Sequence, residues 1–166
     1  SRMISIALCG LAFVSCLQAA RRSLVAGICA LITIGYVYGI IRANFPDGFS
    51  HLIFDCGVLG LYAVQLRKPL PRWQFVRSED LRNWLTILMA WPILLFAVPW
   101  QDPLIQLVGL RGSIFLLPFL LLGARLTGDD VYKLALWLSV LNLLAAAFGI
   151  VEFFVGVEPF FPRNAI

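Results

Sequence analysis

Charge is scarce in this chain of 166 residues: Asp, Glu, Lys and Arg together make up 13%, roughly half the share of an ordinary soluble domain. Histidine occurs once, at His51, so a multi-histidine metal centre is excluded. The four cysteines, Cys9, Cys16, Cys29 and Cys56, fall inside apolar runs, with no CxxC pair and no histidine at metal-ligand spacing. They read as small apolar packing residues, and neither a metal nor any other cofactor is expected. No P-loop, glycine-rich dinucleotide turn, H-E-x-x-H or G-x-S-x-G occurs, which leaves soluble-type nucleotide and hydrolase chemistry without support. Internal repeats and low-complexity linkers are also missing.

Apolar residues are abundant instead. The hydrophobic share is 61% and the mean hydropathy +0.90. A soluble fold needs polar residues to cover its one interior, whereas a lipid-facing helix is apolar all round because its solvent is hydrocarbon. A span needs about 20 mainly apolar residues, with roughly 17–25 tolerated. Six stretches meet or approach that length: 3–20, 23–41, 51–65, 83–100, 113–124 extended by 104–110, and 134–154. The expectation is an all-α, polytopic transmembrane bundle of about six spans forming a single domain over residues 1–166, with the lipid bilayer as its surroundings. The net charge of +4 and pI near 9.1 do not argue for nucleic acid, since the basic residues are spread over short links.

In the first run the basic pair Arg21-Arg22 follows the apolar segment rather than preceding it, so it reads as a span and not a signal peptide. Ser1-Arg2 ahead of Met3 reads as a cloning remnant or the end of a missing upstream part. Alternating loops place nine basic residues on one side (Arg21, Arg22, Arg67, Lys68, Arg72, Arg77, Arg82, Arg125, Lys133) and four on the other (Arg2, Arg42, Arg111, Arg163). By the positive-inside rule the first side is cytoplasmic and both chain ends lie outside the cytoplasm. Residues 67–82, with Pro69 and Pro71, become a cytoplasmic basic loop, and Ser78 an N-cap for a helix bearing Glu79 and Asp80 in its first turn. Trp73, Trp84, Trp91 and Trp100 gather around the fourth span as interface anchors. Pro92 and Pro118 should kink their helices, and Gly35-Tyr-Val-Tyr-Gly39 matches a close-packing GxxxG pattern.

Polar residues that could carry chemistry fall on the non-cytoplasmic side: Tyr38 and Arg42 ending the second span, His51 and Asp55 opening the third, Arg111 before the fifth, and Glu152 late in the sixth. Asp55 lies one turn after His51, so the two share a helix face. An ionisable group inside an apolar span costs about 2.5–3.5 kcal/mol on insertion scales and normally faces a cavity or a partner. Asp55 either serves such a cavity or locks the bundle by pairing with His51 or Arg42. Arg111, within Gly109-Leu-Arg-Gly112, either grips phosphate through its planar fork of donors or snorkels to the interface. Asn142, mid-span in the sixth run, reads as an interhelical hydrogen-bonding group.

The segments Tyr36-Val-Tyr-Gly-Ile-Ile-Arg42, Phe54-Asp-Cys-Gly-Val-Leu-Gly-Leu-Tyr62, Gly109-Leu-Arg-Gly112, and Gly149-Ile-Val-Glu-Phe-Phe154 followed by Glu158-Pro-Phe-Phe-Pro162 carry a resemblance. In that order they resemble the N-terminal half of the O-antigen ligase and polymerase group of bacterial polysaccharide assembly proteins. The resemblance implies a many-span glycosyltransferase of the bacterial inner membrane. Such an enzyme takes glycan from an undecaprenyl-pyrophosphate carrier on the periplasmic side without a bound metal. It implies a lipid-linked oligosaccharide partner and arginines that hold the pyrophosphate, with Arg111 the best match and Arg42 the second. Family members place a large periplasmic loop with further arginines and a histidine in their second half. His51 lies in a different loop, so the resemblance does not assign it that histidine's role. The chain therefore reads as a fragment, inactive without a missing C-terminal half. Two other readings stand beside this one: a transporter or channel-like subunit with a His51–Asp55 relay, and a structural membrane subunit whose polar residues only fix packing.

Overall fold

The computed structural model describes residues 2–45, 47, 49–68, 72–98 and 103–161, and among them every regular element is helical. The helices are α1 (Arg2–Arg22), α2 (Leu24–Asn44), α3 (Ile53–Gln65), α4 (Arg72–Phe96), α5 (Pro103–Leu116), α6 (Phe119–Gly123) and α7 (Gly128–Val155), with a 3₁₀ turn, Ser50–Leu52, leading into α3. The chain divides into two compact units, Ser1–Arg67 with Thr127–Ile166, and Lys68–Leu126.

Three helices, α1, α2 and α7, are long and apolar enough to cross a membrane. The other apolar runs take different forms. α3 has 13 residues, about 20 Å of helix against a hydrocarbon core of roughly 30 Å. The fifth run is broken at Leu117-Pro118 into α5 and the five-residue α6, because a proline ring blocks the helical hydrogen bond at its own position. α4 begins at Arg72 rather than beyond Ser78. Ser78 is therefore interior to the helix rather than its cap, and residues 72–82 of the basic segment are helical. Pro69, Pro71, Trp100 and Arg163 lie outside the described residues, as do the side chains of Trp73 and Arg77.

In the first unit, α1 and α2 form a tight antiparallel pair joined by Ser23 alone. Its extended backbone breaks the helix, and its hydroxyl accepts from the Ala26 N–H at 3.0 Å, capping one of the four unpaired donors of α2. α3 packs parallel to α1. Small residues hold these helices close: Ala12, Cys16 and Ala20 of α1 are buried against α2 and α3. A Cβ on Gly60 would stand 2.3 Å from the Phe13 carbonyl oxygen, and one on Gly27 3.0 Å from the Ala20 Cα. The close approaches are thus at Gly27, Gly57 and Gly60. Of the expected GxxxG pair, Gly39 faces open space and Gly35 is in ordinary contact with Phe54. At the far end of α3 the buried Gln65 donates to the Ala20 carbonyl at 2.6 Å, clasping α3 to the last turn of α1.

α7 opens with a capping box. The Thr127 hydroxyl accepts from the Asp130 N–H, and the Asp130 carboxylate accepts from the Thr127 N–H at 3.0 Å. It runs parallel to α2: Trp137 Nε1 donates to the Thr33 hydroxyl at 3.1 Å, Tyr36 donates to the Asn142 side-chain oxygen, and Asn44 Nδ2 donates to the Phe160 carbonyl at 2.9 Å. Asn142 is an interhelical hydrogen-bonding group, as its mid-span position predicts. Gly156, at φ 91°, turns the chain back after α7 in a conformation that only glycine adopts without strain, and Phe160 stacks edge-on against Phe148 at 4.8 Å.

Candidate functional site

The helix directions decide which polar residues meet. α1 starts, α2 ends, α3 starts and α7 ends at the same end of the first unit, as the Ser5–Asp47, Tyr38–His51 and Asn44–Phe160 contacts show. Arg42, His51, Asp55 and Glu152 are therefore all at that end. Arg42 is exposed in the last turn of α2, while His51, Asp55 and Glu152 are half-buried. His51 lies in the 3₁₀ turn and its carbonyl accepts from the Tyr38 hydroxyl at 3.4 Å. Asp55 follows in the first turn of α3, where its negative charge complements the helix dipole. The Tyr38 and Phe54 rings, 6.4 Å apart, wall this end.

The organising residue of this end is Asp47, which the sequence reading passed over. Its Oδ1 accepts from the N–H groups of Phe49 and Ser50 at 3.1 and 3.0 Å, and its Oδ2 from the buried Ser5 hydroxyl at 2.7 Å. Ser50, also fully buried, returns a hydrogen bond from its hydroxyl to the Asp47 carbonyl at 2.7 Å. One carboxylate thus fixes the turn into α3 and pins it to α1. These donors, the Ser5 hydroxyl first, hold the Asp47 carboxyl below its ordinary value of 3.8, since each stabilises the charged form. Cys9 extends the same tie by donating to the Phe49 carbonyl at 3.4 Å, and the Arg2 guanidinium lies 5.1 Å from the centre of the Phe49 ring. The legible signal was Pro46-Asp-Gly-Phe-Ser50, a turn sequence in which Asp caps the residues two and three positions on.

Arg111 belongs to the second unit. It is half-buried on α5, and the flanking glycines 109 and 112 face open space. That unit contains an open apolar groove of about 480 Å³ between α4 and α5–α6, lined by Leu88, Pro92, Gly112, Ser113, Leu116 and Leu120 among others. Pro92 cannot donate to the Leu88 carbonyl four residues back, so the groove forms where α4 lacks a backbone hydrogen bond. No group of three or more His, Cys, Asp or Glu among the described residues is placed to hold a metal ion.

No protein family, curated protein or solved structure matches this chain.

Proposed function

We propose that this chain is the membrane-embedded part of a glycosyltransferase of bacterial cell-surface polysaccharide assembly. In this reading it transfers glycan from an undecaprenyl-pyrophosphate carrier to an acceptor hydroxyl at the periplasmic face of the inner membrane. The observation that carries the reading is the gathering of Arg42, His51, Asp55 and Glu152 at one end of the first unit. An ionisable group inside an apolar span is costly unless it faces a polar ligand, an aqueous cavity or a partner, and Asp55 and Glu152 are half-buried within α3 and α7. All six apolar segments are embedded, with α3 and the broken α5–α6 helix as partial spans; irregular backbone at membrane depth suits a cavity wall.

Transfer of a sugar from pyrophosphate needs a cation for the charge that develops on the leaving group and an acceptor for the proton of the attacking hydroxyl. In this reading Arg42 of the first unit supplies the first and the His51–Asp55 turn offers the second, while Arg111 of the second unit enters as a phosphate-gripping arginine through the family resemblance alone. Within the second unit, the open groove beside Gly112 and Ser113 is apolar, as a surface that takes a lipid chain would be. Both chain ends are then periplasmic, and the loop that precedes α4 is cytoplasmic.

The test uses the protein with any sequence that flanks this segment, reconstituted in proteoliposomes with an undecaprenyl-pyrophosphate-linked glycan and an acceptor. Transfer that is lost in Arg111→Ala and Arg42→Ala, in protein that elutes as a folded species, supports the reading. A folded protein that binds no such donor sinks it. Dissipation of a pH gradient that depends on His51 would replace it with a proton-coupled transporter.

A further inference from the structure

Two of the four thiols meet. Cys9 on α1 and Cys56 on α3 are both half-buried neighbours, just beneath the turn fixed by Asp47, where Cys9 donates to the Phe49 carbonyl. Four residues, about one turn, beyond each cysteine, the two helices come into close contact at Phe13 and Gly60, so Cys9 and Cys56 share the register and the facing sides of that seam. A disulfide needs Cα atoms about 4.4–6.8 Å apart, which few helix pairs achieve and which this glycine-mediated approach favours. Cys16 and Cys29 differ: Cys16 is buried against Gly57, and Cys29 lies on α2 beside Thr33, whose hydroxyl bonds the Cys29 carbonyl.

We propose that Cys9 and Cys56 form a disulfide that staples α1 to α3 at the polar end of the first unit, while Cys16 and Cys29 remain thiols. The oxidant is the disulfide of a thiol–disulfide exchange protein. One cysteine thiolate attacks that disulfide, forming a mixed disulfide and expelling one acceptor thiolate. The other cysteine then attacks the mixed disulfide, closing the Cys9–Cys56 bond and expelling the second acceptor thiolate. Two protons pass from the cysteines to the acceptor, which takes up two electrons and ends as a dithiol. The proposal rests on the functional reading for one point only, that this end faces an oxidising compartment; a thiol count tests it without any glycan.

Membranes are dissolved in denaturant with excess polyethylene-glycol maleimide, with and without prior reduction, and alkylated peptides are identified by mass spectrometry. The expected result is modification at Cys16 and Cys29 alone in the unreduced protein, a linked Cys9–Cys56 peptide pair, and modification at all four after reduction. Cys9→Ser should free Cys56 for modification without reduction, while Cys16→Ser should leave the linked pair intact. If Cys9→Ser fails to accumulate, the linked peptide in the unaltered protein decides. Modification of Cys9 and Cys56 in the unreduced protein, or a bridge involving Cys16 or Cys29, overturns the proposal even if glycan transfer is observed.

Discussion

Replacement of Gly60 by alanine is the most informative single perturbation of this fold. The added methyl would stand 2.3 Å from the Phe13 carbonyl oxygen and 3.2 Å from the Leu17 nitrogen, both backbone atoms that no rotamer change can move. Ordinary contact begins near 3.4 Å, so α1 and α3 must separate by about 1 Å along much of their seam, loosening contacts whose attraction falls steeply with distance. Overpacking of this kind costs about 1–3 kcal/mol, one to two orders of magnitude in the folded-to-unfolded ratio. Gly27→Ala should cost less, because its nearest obstacle at 2.6 Å is the flexible tip of Leu61 and the backbone of Ala20 stands at 3.0 Å. Gly39→Ala meets nothing within 4 Å and should be neutral or gain up to about 1 kcal/mol from helix propensity. The assay is titration of the detergent-solubilised protein with SDS, followed by tryptophan fluorescence. A Gly39→Ala midpoint that falls as far as that of Gly60→Ala would refute the reasoning and return the helix seam to the GxxxG face.

Other consequences follow from the same contacts. Asp47 has a lowered carboxyl pKa, so its contribution to stability is complete above pH 3.8 and fades as pH falls through the lowered folded value; Asp47→Asn should weaken the turn at neutral pH and flatten the acid limb of an unfolding curve. Tyr36→Phe and Asn142→Leu each remove one α2–α7 hydrogen bond and should each cost about 0.6 kcal/mol, at most about 1.7, with the double variant costing no more than the larger single one. Gln65→Leu strips a buried donor from the Ala20 carbonyl and should lower stability by about 1–3 kcal/mol, read in the same SDS titration.

The sequence displays this fold unevenly. Runs of apolar residues long enough to cross hydrocarbon announce α1, α2 and α7, because that signal sums over about twenty positions and survives local detail. α3 and α5–α6 are harder: their hydropathy resembles that of a span, but α3 follows the Asp47 turn and α5–α6 is interrupted at Pro118, single residues whose effect is geometric. The start of α4 is hidden because Ser78 has the chemistry of a cap without the role; the residues before it, Arg72-Trp-Gln-Phe-Val-Arg77, mix polar and apolar types and continue the helix. The sequence expectation of a one-sided gathering also included Arg111, which lies in the second unit; within the first unit, Arg42, His51, Asp55 and Glu152 fall at one end because α1, α2, α3 and α7 run in the directions their contacts fix. The Ser5–Asp47 tie was not legible, because a serine near the start of an apolar helix looks like any small residue until its partner, 42 positions away, is placed beside it.

Burial does not hold the first unit together in the manner of a soluble core. Met3, Leu11, Leu143, Phe153 and Phe154 are among many large apolar side chains left exposed, the last two at 84% and 79%. Lipid tails are as apolar as leucine, so hiding such residues from lipid gains little, and helix association in a bilayer relies on close packing and hydrogen bonds instead. The residues that are buried fit that expectation: Cys16 against Gly57 and Ala20 against Gly27, Ala12 beside them on α1, with Ser5, Ser50 and Gln65 as fully or nearly fully buried hydrogen-bonding groups. Truncating an exposed leucine of α7 should therefore change stability little, whereas adding one methyl at Gly60 should change it greatly, the reverse of the order expected in water. The packing of α1, α2 and α3 places Arg42, His51 and Asp55 at one end, which the proposed site for a charged, lipid-borne substrate requires.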